Sequence, residues 1–157
     1  VTNVILDFGK ENLTLLSSEF LKDCLYRCQP TEMLPTDSEN GLSKLIKHIH
    51  SISENKTVRI RNVNKCLLDK RIDNKWITDY KNTILDQMVQ NGYKVIDTFK
   101  DSHRDDIESD GRFDGIIEEI DEYLIDVRAN KQAVTDPTKK DAYMMLINEK
   151  NKEVVIF

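Results

Sequence analysis

The segment "IIEEIDEYLIDVRAN" (116–130) constrains this chain more than any other. Ile116, Ile120, Tyr123, Leu124 and Val127 recur at helical spacing and form one apolar stripe, while Glu118, Glu119, Glu122 and Asp126 fall on the other side. A helix divided in this way needs a body against which to bury its stripe. The chain can supply one: 157 residues suit a single domain, 1–157, that buries a core without staples. Hydrophobic residues at 39% and charged residues at 32%, with few glycines and prolines, describe a folded, highly charged, soluble protein.

The same periodicity places further elements. A strand is expected over "VTNVILDF". A helix over "LSSEFLKDCLYRC" carries Leu16, Phe20 and Cys24 on one face, with Ser17 or Ser18 at its start. A loop with two prolines at 29–41 separates this helix from "LSKLIKHIHSISE", a second amphipathic helix with Leu42, Leu45, Ile46, Ile49 and Ile52 on one side. "KTVRIRNVN" alternates as a strand, and "CLLDKRI" reads as a short helix. Asp73 then opens a helix through "KWITDYKNTILDQMVQN" with Trp76, Tyr80, Ile84 and Met88 as its stripe, stopped by Gly92. "YKVIDTF" reads as a third strand, residues 100–115 as an acidic loop, and "AYMMLIN" with "EVVIF" as a terminal β-hairpin. The expected architecture is therefore α/β or α+β, a mixed sheet covered by about four helices and ending in a hairpin. That hairpin's edge offers a route to a homodimer.

Three cysteines, with no CxxC and no histidine at zinc-finger spacing, point to reduced thiols in an intracellular protein. No segment approaches the roughly 20 apolar residues that span a bilayer, and the first residues lack a leader pattern, so a cytoplasmic location away from membranes is expected. The net charge of −5 argues against a general nucleic-acid binder.

Three groups of residues are candidates for function. "DGRFDGIIEEID" (110–121) mimics a calcium loop, but Arg112 stands where an oxygen ligand belongs. A looser divalent-cation site would draw on Asp106, Asp110, Asp114 and Glu118, and a metal-dependent phosphoesterase or nuclease built on the 101–114 carboxylates is one alternative function. The ordinary reading is a solvated helix start, since acids there meet the positive end of the helix dipole. The basic stretch 59–75 places Arg59 and Arg61 on the exposed side of a strand, near Lys70 and Arg71, and would seat a phosphate, a nucleic-acid strand or an acidic protein partner. A nucleic-acid module on that stretch is a second alternative. His48, His50 and His103 read as boundary residues, because residues two apart on a helix do not converge. Glycine-rich phosphate loops, GxSxG and HExxH are all absent, so no catalytic residue and no cofactor is assigned.

"NVILDF" with "LSSEFLKDCL", and "KTVRIRNVN" with "KCLLDKRI", resemble the core of STAS-like domains, the fold of bacterial anti-sigma-factor antagonists. The matching positions are Val4 to Phe8, Ser17, Ser18, Phe20 and Val58 to Asn62, about half of the chain at most. The resemblance implies a protein-binding regulatory role with Ser17 or Ser18 as a phospho-switch. The expected function is accordingly that of a non-enzymatic regulator, antagonist or immunity-type inhibitor. Its partner would be a protein with a basic surface, met by Glu118, Glu119, Glu122 and Asp126.

Overall fold

The computed structural model describes residues 4–29, 34–35 and 38–154. Within them six helices pack with one three-stranded antiparallel sheet, an α+β architecture. The chain runs α1 (Ser18–Tyr26), α2 (Gly41–Ser51), β1 (Val58–Arg59, the short strand within "KTVRIRNVN"), β2 (Leu67–Ile72), β3 (Lys75–Tyr80), α3 (Lys81–Ser102), α4 (Arg104–Ser109), α5 (Ile117–Arg128) and α6 (Gln132–Val154). No helix among the described residues is long and apolar enough to cross a membrane.

Helices α1, α2 and α5 follow the sequence reading. Ser17 caps α1 by accepting the Phe20 N–H at 3.1 Å. Asn40 caps α2 by accepting the N–H groups of Leu42 at 2.9 Å and Ser43 at 3.3 Å. The α5 stripe is buried through Ile120, Tyr123, Leu124 and Val127. These side chains join Leu25, Leu42, Leu45, Ile84, Val89, Ile96, Phe113 and Leu146 in one core. Each such side chain, taken fully out of water, contributes on the order of 2 kcal/mol.

The middle of the chain departs from expectation. "CLLDKRI" is strand β2, not a helix, and Asp73 opens no helix. Asp73 and Asn74, at φ 51° and 62°, instead form the two-residue turn of a hairpin. Such turns require left-handed backbone at both positions, which Asp and Asn tolerate. Trp76, Ile77, Thr78 and Tyr80 then extend as β3, and α3 starts only at Lys81. Gly92 does not end that helix. It lies inside α3 where the helix crosses α2, and a Cβ there would sit 3.3 Å from Ile46 Cγ1. "YKVIDTF" continues α3, its Ile96 and Phe99 buried in the core.

The acidic connection at 100–115 is also more ordered than a loop: the end of α3, then α4, then one turn of 3₁₀ helix at Gly111–Phe113. At the C-terminal end "AYMMLIN" and the start of "EVVIF" belong to helix α6, so the described residues there form no hairpin edge. Ala142 and Leu146 fix that outcome by burying against the other helices, a tertiary gain that outweighs local strand preference. Residues 155–157 of "EVVIF" and 1–3 of "VTNVILDF" lie outside the described residues, as do 30–33 and 36–37 of the proline loop. Residues 4–8 form no regular strand, yet they lace onto the sheet region: the Leu6 N–H donates to Glu54 O at 2.8 Å and the Phe8 N–H to Arg71 O at 2.7 Å.

Candidate functional site

The sheet has two unlike faces. Val58, Ile60 and Leu68 are buried. On the opposite face the strand register sets Arg59 beside Asp69, Asp69 beside Thr78, and Arg71 beside Trp76. Directly opposed residues point the same way, so these five side chains share one surface.

Asp69 organises that surface. It is only 1% exposed, yet one carboxylate oxygen takes two guanidinium contacts, from Arg59 Nε at 3.0 Å and Arg61 Nε at 3.1 Å. Its other oxygen accepts the Thr78 hydroxyl at 2.7 Å. Burial alone would raise the Asp69 carboxyl; the Thr78 hydroxyl and the two guanidinium groups outweigh it and hold the pKa below the ordinary carboxylate value. Trp76 completes the cluster. Arg59 Cζ lies 4.1 Å from its ring centroid and Arg71 Cζ 5.3 Å. Stacked and clamped guanidinium groups are pre-set in direction, which lowers the entropy lost when they bind an anion. The Arg71 Nε is buried with no hydrogen-bond partner among the described residues. Arg59 and Arg61 nonetheless remain 42% and 65% exposed at their side chains, open to an anionic group in solution.

Lys70 does not belong to this set. It points to the other face, where its Nζ donates to Gln87 Oε1 at 3.2 Å and lies near the Phe8 ring.

The 101–114 acids are drawn into structure. Lys22, nearly buried, pairs with Asp106 at 3.2 Å and Asp110 at 3.0 Å, tying α1 to α4 and to the residue that follows it. Asp110 also accepts the Arg112 N–H at 3.0 Å, and that bond, with Lys22, holds its carboxyl below the usual range. Phe113 anchors the "DGRFDG" tract in the core, fully buried. Among the described residues no group of three or more His, Cys, Asp or Glu side chains is placed to hold a metal ion, and Asp106, Asp110, Asp114 and Glu118 are not brought together as one.

On α5, Glu118 and Glu122 are exposed, Asp126 pairs with Lys131 at 3.0 Å, and Glu119 has one buried carboxylate oxygen with no hydrogen-bond partner among the described residues. Ser17 and Ser18 are both exposed at the start of α1. His48 packs at a tilt against Phe20 and His103 stacks on Phe99, while burial pushes His50 down to about 4. Burial also pushes the Cys24 thiol up to about 12, so it stays protonated.

Reading the residues alone missed Asp69, Trp76 and Thr78. The signal that could have found them is the Asp73-Asn74 pair between "LLDKRI" and "KWITDY", which sets the register that brings them together. No protein-family model matches the chain, and no curated protein or solved structure matches it.

Proposed function

We propose that this chain is a non-catalytic protein-binding regulator of the antagonist or inhibitor kind, and that it docks an acidic segment of its partner on the arginine face of the sheet. One observation carries the reading: a buried carboxylate, Asp69, is used to clamp two half-exposed arginines beside a tryptophan on an open face. A buried charge is costly unless it is paired, and replacement by apolar residues often serves stability as well, so this cluster suits recognition better than cohesion. Bidentate guanidinium groups match carboxylates in geometry as well as charge. The exposed Glu118 and Glu122 of α5 give the molecule a second, acidic surface, available to a basic region of the same partner.

Arg59, Arg61 and Arg71 on this face favour a second reading, a module that holds the phosphates of a single-stranded nucleic acid. We place it behind protein docking for two reasons. The chain carries a net charge of −5, which opposes a long polyanion. Arg59 and Arg71 also lie against the Trp76 ring, which leaves less of it for base stacking.

The chain has one tryptophan, and it stands in the site, so its fluorescence reports occupancy directly. The test is to titrate an oligoglutamate peptide and, separately, a single-stranded oligonucleotide of equal charge into the protein and into Arg59→Ala/Arg61→Ala. Protein docking predicts a saturable change with the peptide that the double variant loses. Tighter binding of the oligonucleotide would exchange the two readings, and no response to either, or an undiminished response in the variant, would sink both.

A further inference from the structure

Strand β3 ends the sheet. The strand order is β1-β2-β3, and β3 pairs only with β2 among the described residues. Lys75, Ile77, Thr78 and Tyr80 are all exposed, Ile77 at 43% and Tyr80 at 70%, so both faces of this strand meet solvent. An open strand edge is a template for another strand.

We infer that β3 pairs with β3 of a second copy, forming a two-fold dimer with a continuous six-stranded sheet. The occupant is indicated by the strand's own charges. When "KWITDY" runs antiparallel to itself about Ile77, Lys75 stands opposite Asp79 of the second copy, and Asp79 opposite Lys75. Ile77 meets Ile77, and Trp76 meets Thr78. Moving the centre by one residue in either direction, to Trp76 or Thr78, sets Ile77 against a charged side chain and removes both ion pairs. The pairing is therefore self-complementary in one register. It also answers an ordinary objection, that charges on an edge strand exist to repel a partner: here each charge faces its opposite.

The dimer extends the arginine face. Opposed residues share a face, so Trp76 and Thr78 of both copies lie on the same side, and the Arg59, Arg61 and Arg71 groups of two molecules flank one axis. This inference stands apart from the choice of partner above, because it concerns the edge of the sheet and is read without any ligand.

The experiment is sedimentation of the purified chain over a wide concentration range, beside Lys75→Glu, Asp79→Lys and the combined K75E/D79K. Far-UV circular dichroism and Trp76 emission check that each variant is folded. The wild type is expected to double in mass as concentration rises. Each single charge reversal sets two like-charged pairs across the axis and should abolish the doubling, and the combined reversal should restore it. Asp79 lies 3.8 Å from Lys70 within its own chain, so if Asp79→Lys alone fails to fold, Lys75→Glu carries the test, with added salt recovering part of its dimer. A wild type that stays monomeric throughout, or single variants that dimerise as it does, would overturn the inference.

Discussion

Arg59 lies over the indole of Trp76, its Cζ 4.1 Å from the ring centroid, although β2 separates the strands that carry them. The contact bridges the whole width of the sheet above Asp69. Any group that displaces the arginine must therefore alter the environment of the only tryptophan, and the effects of substitutions here are legible in emission as well as in stability.

Asp69→Ala leaves two guanidinium groups without their shared carboxylate. The cost of breaking such a pair is discounted because both arginines are partly in water, and we expect a loss of about 2 kcal/mol by urea denaturation. Arg61→Ala, at the more exposed end, should cost under about 1 kcal/mol while weakening the binding of an acidic peptide. A large stability loss from Arg61→Ala would mark the cluster as a strand clamp.

Burial of His50 makes stability depend on pH. Its folded pKa of about 4 lies below the ordinary histidine value of 6.5, so the unfolded chain binds the extra proton first. Stability is then full above the unfolded value and falls as pH drops from 6.5 towards 4, by about 2 kcal/mol between neutrality and pH 5. The Asp69 and Asp110 carboxyls, held low, add losses only at more acid pH, since their stability is present above the ordinary carboxylate value. Urea midpoints of the protein and of His50→Gln, compared across this window, should converge as pH falls.

Gly41 and Gly92, in helices α2 and α3, should respond differently to alanine. At Gly41 a Cβ would lie 1.9 Å from the Cys24 carbonyl oxygen and 2.9 Å from Cys28 Sγ, so α1 and α2 must separate. Gly41→Ala is expected to cost more than about 3 kcal/mol or to prevent folding. At Gly92 the contact is with Ile46 Cγ1 at 3.3 Å, a side chain that can give, and alanine adds helix propensity. Gly92→Ala should stay within about 1 kcal/mol of the parent.

Lys22 holds Asp106 and Asp110, and its removal tests what those acids do. Lys22→Met should lower the melting temperature, because the carboxylates lose their shared cation. Calcium, magnesium or manganese should leave the melting temperature of the unaltered chain unchanged; an ion-selective rise abolished by Asp110→Asn would return the acids to a metal-binding role.

What could be read in advance divides by the range of the forces concerned. The stripes of α2 and α5 announce themselves because each helix buries residues chosen within its own turns: Leu42, Leu45 and Ile46, or Ile120, Tyr123, Leu124 and Val127. The β2–β3 hairpin did not, because Trp76, Tyr80, Ile84 and Met88 also repeat every four residues and so imitate a helical face across a strand–helix junction. The C-terminal segment is β-prone in composition, and packing on distant helices, with Ala142 and Leu146 buried, accompanies its folding as α6. Arg59 and Arg61 were legible as an exposed pair by alternation. Asp69 was not, since its role depends on which residues the turn sets opposite it.

The clasp between α2 and α6 bears on how this protein is made. Ser43 donates to Asp141 at 2.7 Å and Thr138 meets the capping residue Asn40 at 3.4 Å, each pair 98 residues apart in the chain. On the ribosome, α1, α2 and the hairpin emerge long before their last neighbour exists. Until α6 has been synthesised, Leu42 and Leu45 keep one side of their shared core without its final cover. The nascent chain must therefore wait in a partly assembled state, in the interval when holding chaperones have most to do.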